Sequence, residues 1–210
     1  MKRIIDILIS SMALVVGMPV MLTIAVIVKF SSRGPILYWS DRVGRNNQIF
    51  SMPKFRTMRT DTPELPTHLL TDSRRWITPI GRLLRSTSLD ELPQLWNVLI
   101  GQMSLVGPRP ALFNQTDLIG MRSLVGVHRL TPGVTGWAQI NGRDELETPT
   151  KVRFDEDYFN QQSGMFDIQI ILLTGLKVFR GDGIQQADSN VSTTQSTGPA
   201  RSAGSEKKAA

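Results

Sequence analysis

Hydrophobic and polar positions change period several times along this 210-residue chain, and each change predicts an element. Behind Met1, Lys2 and Arg3, the run "IIDILISSMALVVGMPVMLTIAVIV" carries a single charge, Asp6, before Lys29. At ~1.5 Å per residue, its 25 residues as a helix reach roughly 37 Å, more than a hydrocarbon core of ~30 Å. The run is too long for a signal-peptide core and no small-residue cleavage site follows it, so residues 1–29 are expected to be a membrane anchor. Pro19, close behind Gly17, removes a helix hydrogen bond and predicts a kink. Lys2 and Arg3 precede the run, and Lys29 and Arg33 follow it. The preference of basic flanks for the cytoplasm is met at both ends by a re-entrant helix broken near Pro19. A spanning helix is the alternative. In either, the chain from Lys29 onward is cytoplasmic.

Shorter patterns fill the middle. In "PILYWSDRVGRNNQIFSMPKF" two apolar-rich runs flank Gly44-Arg45-Asn46-Asn47, the signature of a β-hairpin, since Asn tolerates the left-handed turn conformation. Pro53 marks its second strand as an edge or as ending there. Leu92, Leu95, Trp96, Leu99 and Ile100 recur at helical spacing and Gly101 is the expected stop. Pro93 is comfortable only in a first helical turn, which puts Asp90 and Glu91 at the helix mouth. The capping-box alternative, Ser88 with Glu91, would put Pro93 in the second turn. "RLTPGVTGWAQINGRDEL" reads as loop and short strand. Met165–Phe179, too short to span a membrane, reads as a core or interfacial helix, with core favoured. From about Gln186 the chain is Ser/Thr/Ala/Gly-rich without apolar period, a disordered tail over 186–210. Residues 30–185 remain as the working domain. The fold class expected is α+β, helix-rich, with a small β-hairpin, as a single domain anchored by an N-terminal re-entrant membrane helix.

Charge narrows the function. A net charge of +6 calls for an anionic partner. There is no cysteine, hence no disulfide, thiolate chemistry or cysteine metal site. His68 and His128 are far apart and give no zinc spacing, and no P-loop, dinucleotide fingerprint or GxSxG occurs. Basic residues interspersed with Gly and Pro, without a recognised motif, argue against nucleic acid.

The acid pair carries the chemistry. A helix N-terminus keeps a carboxylate ionised, which suits a nucleophile or metal ligand, and it also attracts phosphate. Phosphate beside two carboxylates requires a cation between them, so a Mg²⁺-type divalent metal held by Asp90 and Glu91 is implied. Nearby cations suited to phosphate are Lys54 and Arg56 in "KFRTM", Arg82 and Arg85, and Arg109 in "GPRP". Each signal alone also has a structural explanation: helix-end dressing, a solvated strand end, a rigid turn.

Together, "KRIID", "SRGPILYWSDRVGRNNQIF", "KFRTMR", "IGRLLRSTSLDELPQLWNVLIGQMSLVGPRP" and "LTPGVTGWAQINGR", in this order, resemble the bacterial sugar transferases, the monotopic polyprenyl-phosphate glycosyl-1-phosphate transferases in their small, core-only form. The resemblance implies an enzyme of the bacterial inner membrane, its catalytic domain facing the cytoplasm, acting at the first membrane step of glycoconjugate or polysaccharide assembly. It would move sugar-1-phosphate from a UDP-sugar to undecaprenyl phosphate and release UMP. By resemblance, Asp90 is the nucleophile that carries a phosphosugar, and Glu91 supports metal binding or acts as base. Lys54, Arg85 and Arg109 contact phosphate. Gln139, Asn141 and Arg143 help form the nucleotide-sugar pocket. A late acidic residue also takes part, with Asp157 and Asp167 both fitting. Other glycan-assembly enzymes are implied partners. A non-catalytic membrane-anchored scaffold is the competing class. It would keep the anchor without needing an acid pair among basic residues. "RNNQ" lacks a glycine common in that hairpin, and Pro53 stands where an aromatic is common, which bears on pocket shape and sugar choice.

Overall fold

The computed structural model describes residues 2–62, 75–142 and 146–180, with side chains as far as 177. The expected tail at 186–210, His68 and Arg143 lie outside them. The anchor run forms one helix, α1 (Lys2–Ser31), continuous through Pro19. The break expected there is therefore not an interruption of the helix. Proline removes only one N–H from the ladder, and in the following turn the Thr23 hydroxyl donates to the Pro19 carbonyl at 2.9 Å.

Both ends of α1 are tied to the rest of the protein, and its middle is bare. Near the start, Asp6 and Ser10 are buried, while Leu8, Met12, Val15, Val16, Met18 and Leu22 are exposed. Lys2 donates to the Val106 carbonyl at 2.9 Å, to the Tyr158 hydroxyl at 3.1 Å and to Asp167 at 2.6 Å. Asp6 accepts from the Ser104 hydroxyl and the Leu105 amide. Near the far end, Ile24 and Val28 pack in a core with Phe55 and Leu84.

The hairpin forms as the pattern requires. β1 (Leu37–Val43) and β2 (Ile49–Phe55) pair antiparallel, from Leu37 opposite Phe55 to Val43 opposite Ile49. Asn46 and Asn47 take the left-handed conformation at φ 55° and 60°, filling the place of the missing glycine. A short β4 (Ala111–Leu112) pairs with β1, so β2 is the sheet edge, where Pro53 costs no ladder bond.

The helix expected behind the acid pair is split. Leu89–Gln94 is a 3₁₀ turn that contains Asp90, Glu91 and Pro93, and α3 (Leu95–Ile100) begins only after it. Gly101 ends α3 at φ 90°, as expected. Asn97 on α3 donates to the Ser51 carbonyl at 3.0 Å, and Val98 shares a core with Phe50 and Met52, so the acid turn is fixed against β2. Before it, α2 (Pro79–Ser86) starts with the Thr78 hydroxyl accepting from the Gly81 amide.

β3 (Ser104–Val106) and β5 (Gly133–Thr135) form a two-stranded parallel sheet. It clamps the "GPRP" turn: the Gly107 amide donates to the Thr135 carbonyl, and the Gly133 amide to the Pro108 carbonyl. A Cβ on Gly133 would lie 2.1 Å from the Gly107 nitrogen, so side chains cannot enter this crossing. α4 (Thr116–Leu124), α5 (Trp137–Asn141), α6 (Thr148–Gln161) and α7 (Gly164–Arg180) complete the described chain, helix-rich with a small antiparallel sheet. α7 is both core and surface. Ile170 is fully buried, while Met165, Ile168, Leu172 and Leu176 form an exposed apolar stripe at helical spacing.

Candidate active site

The acid turn faces the end of β2. Glu91 Oε1 accepts from Lys54 Nζ at 2.7 Å and from an Arg109 guanidinium nitrogen at 2.9 Å. Burial alone would raise the Glu91 carboxyl, but the Arg109 and Lys54 charges and hydrogen bonds outweigh it and hold it well below the usual range. Glu91 is thus an ionised bracket that sets two cations side by side. Lys54 itself is pushed down, first by burial and then by Arg109 and Arg42, against the pull of Glu91 and Asp90.

Asp90 differs from its neighbour. Only 7% exposed, it is raised to about 6, chiefly by burial and then by the Glu91 charge, with Lys54, Arg85 and Arg109 acting the other way. A strongly ionised carboxylate at a helix mouth was the expectation. A six-residue 3₁₀ turn supplies little dipole, and burial next to a second carboxylate dominates. The result is a more basic carboxylate, ionised at neutral pH, which is a better nucleophile than an ordinary aspartate. Ser88, just ahead, is left-handed at φ 57°, a strain of about 1 kcal/mol for a non-glycine residue.

Of the phosphate-type cations, Lys54, Arg85 and Arg109 act on the acid pair, and Arg85 also donates to the Thr57 hydroxyl at 2.9 Å. Arg56 is placed elsewhere. It is buried at the end of α1, donating to the carbonyls of Val28, Ser32 and Pro35 and to the Ser32 hydroxyl, where a cation complements a helix C-terminus. Arg42 was missed. It acts on Lys54 and donates to the Pro110 carbonyl at 3.3 Å, so it belongs to the same cluster. Four cations, Lys54, Arg42, Arg85 and Arg109, then surround two carboxylates, an excess that suits a polyanion such as a diphosphate.

One further acid is tied to this cluster through Arg122, namely Asp155. It forms a buried pair with Arg122 at 2.6 Å, and Arg122 also donates to the Arg109 carbonyl at 2.8 Å. Burial pushes the Asp155 carboxyl up against the opposing Arg122 charge. Its signal was helical phase: on α6, Val152, Asp155 and Tyr158 are the buried positions, at spacing 3. Asp157 is off that face and half-buried. Asp167 is bonded to Lys2 and Tyr158 at the foot of α1. Gln139 donates to the Val134 carbonyl at 3.0 Å while its Oε1 is buried without a partner, and Asn141 donates to the Trp137 carbonyl. No group of three or more His, Cys, Asp or Glu residues suited to a metal occurs among the described residues. Asp90 and Glu91 alone fit Mg²⁺ only where substrate phosphates and water complete its shell, which is the common manner of binding that ion.

The sequence profile of the bacterial sugar transferase family matches residues 1–181. An undecaprenyl-phosphate glucose phosphotransferase of Komagataeibacter xylinus is 44% identical over 187 residues, 82% of this chain and 35% of that protein. A UDP-glucose:undecaprenyl-phosphate glucose-1-phosphate transferase of Escherichia coli (strain K12) is 40% identical, over 85% of this chain and 40% of that protein. The sugar transferase EpsL of Bacillus subtilis (strain 168), described as uncharacterized, is 38% identical over 90% of this chain and 92% of its own length. The chain therefore spans well under half of the first two and nearly all of the third.

Proposed function

The chain belongs to the bacterial sugar transferase family, and from that premise we propose that it transfers sugar-1-phosphate from a UDP-sugar to undecaprenyl phosphate and releases UMP. The observation that carries this reading is the basic, buried Asp90 carboxylate beside a Glu91 that brackets Lys54 and Arg109. An Asp90 oxygen attacks the β-phosphorus of the donor, the bond to the bridging oxygen breaks, and UMP leaves with the electron pair. An oxygen of undecaprenyl phosphate then attacks the same phosphorus, and the Asp90 carboxylate departs. Two anionic substrates from different phases thus meet one carboxylate in turn. Lys54, Arg85 and Arg109 offset the phosphate charge at each displacement. Asp90 and Glu91 would hold Mg²⁺ together with substrate phosphate oxygens, and the ion would supply further charge neutralisation. UDP-glucose, which the Escherichia coli relative's name specifies, is the first donor to test.

We further propose that residues 1–29 re-enter the inner membrane, with residues 30–185 as a catalytic domain on its cytoplasmic face. Contacts from both ends of α1 to the same domain support this, because a helix spanning a bilayer parts its ends across ~30 Å of hydrocarbon. The exposed stripe of α7 fits the same placement. Asp90→Asn tests the chemistry. UMP release from UDP-glucose should stop while the far-ultraviolet spectrum is unchanged. Turnover at the wild-type rate would end the nucleophile assignment.

A further inference from the structure

One face of the β1–β2 hairpin meets the acid pair, and one residue on that face is left uncovered. Antiparallel partners directly opposite each other carry their side chains on the same side of the sheet, with Cβ atoms about 5 Å apart. The register sets Arg42 opposite Phe50, Ser40 opposite Met52 and Tyr38 opposite Lys54, so these six share a face. Phe50, Met52 and Ser40 are buried there. Lys54 reaches Glu91, and Arg42 reaches the Pro110 carbonyl. Tyr38 is the one member of the row that is exposed, at 49%. A large ring on an inward face stays uncovered where that face opens, which puts Tyr38 at the mouth of the site beside Lys54.

The two ends of β1 have different neighbours. At one end Arg42 and Val43 pair with β4, next to the Arg109 turn. At the other, Leu37 packs against the core of Ile24, Val28 and Phe55 at the far end of α1. Tyr38 and Arg42 are four residues apart, roughly 13 Å along the strand. Tyr38 thus belongs to the anchor end of the site, where Phe30 on the last turn of α1 is also exposed. In the transferase reading, on which this inference rests, the donor is soluble and the acceptor keeps its isoprenoid chain in the membrane. An acceptor phosphate drawn to Lys54 from the anchor end carries its first isoprene unit past the Tyr38 ring. A tyrosine ring offers a flat apolar body with a polar tip, which suits a chain leaving a charged headgroup. We propose that Tyr38 packs against the first isoprene unit of the acceptor and so selects a polyprenyl phosphate for the second displacement. Trp39, half-exposed as well, lies on the opposite face of β1 and takes no part.

The two displacements separate this contact from a general loss of structure. Without acceptor, full-length Tyr38→Ala in detergent should release its first equivalent of UMP from UDP-glucose at the wild-type rate. Its KM for undecaprenyl phosphate should rise about tenfold. Tyr38→Phe keeps the ring and should keep the wild-type KM, and so should Trp39→Ala. If Tyr38→Ala fails to fold, Tyr38→Gln, which keeps bulk without the ring, decides in its place. An unchanged KM overturns the proposal. A first equivalent of UMP slowed as much as turnover overturns it too, because the ring would then only hold Lys54 in place. An equal rise in KM for Trp39→Ala also overturns it, because the hairpin would then touch the bilayer rather than the acceptor. The transferase reading fails separately. Wild-type protein that binds undecaprenyl phosphate in calorimetry but releases no UMP removes that reading, and weaker binding by Tyr38→Ala would still establish the contact. Turnover with a KM independent of Tyr38 removes the contact alone.

Discussion

Replacing Asp90 by Asn should make the free protein more stable, and by an amount that depends on pH. The Asp90 carboxyl is raised from 3.8 to about 6. Between those values the folded chain keeps a proton that the unfolded chain has lost, so folding is favoured at low pH and that contribution is lost as pH rises through about 6. At 1.36 kcal/mol per unit, a shift of about 2 units costs the wild type about 3 kcal/mol at pH 8, and about 1.5 kcal/mol at pH 5 where the folded state is still mostly protonated. Asn cannot ionise. Glu91, held well below its usual range, stays charged at both values and adds no pH dependence. Urea unfolding in detergent, followed by circular dichroism, should therefore show the advantage of Asp90→Asn growing by about 1–2 kcal/mol from pH 5 to pH 8. An advantage that is constant with pH, or that shrinks, would refute the buried, raised carboxylate and with it the argument for an activated nucleophile.

Asp155→Asn leaves Arg122 buried without its counter-charge. It should cost about 3–5 kcal/mol in urea unfolding, and lower the rate of UMP release through the displaced Arg109. Gly81→Ala would drive a Cβ to 2.0 Å from the Thr57 carbonyl oxygen, and an unfolding free energy reduced by about 1–3 kcal/mol is expected. EDTA should stop UMP release, and added Mg²⁺ should restore it. Full activity in EDTA contradicts a divalent ion. A cysteine placed ahead of Lys2 should react with an impermeant maleimide only from the cytoplasmic side, and periplasmic labelling would establish a spanning helix.

Where a single local rule dominates, the sequence was legible. The 25-residue apolar run, the Asn46-Asn47 turn, the edge strand at Pro53 and the Gly101 stop all rest on local geometry, and the structure has them. The fold was harder to read where the buried face is polar. α6 buries Asp155 between Val152 and Tyr158, so its apolar period is broken by an acid, and Asp155 drew no attention beside Asp157 and Asp167. Arg56 stands two residues after Lys54, which in a strand means the same face. β2 ends at Phe55, however, so Arg56 is free to turn to the end of α1. Arg42 hid among hairpin residues, since nothing local says that β1 passes beside the Arg109 turn. The electrostatics of Asp90 depend on burial, which no spacing rule reports. The acid pair, Lys54, Arg85 and Arg109 were legible as a set because their residue types suit one ligand, a phosphate, however the chain folds between them.

The central claim is that Asp90 becomes covalently attached to phosphosugar. Wild-type protein mixed with UDP-glucose in the absence of undecaprenyl phosphate, quenched within seconds and digested, should give a peptide containing Asp90 that carries one hexose phosphate by mass spectrometry. Adding undecaprenyl phosphate before the quench should remove it. Turnover without any such adduct, or an adduct on a peptide lacking Asp90, would contradict the account.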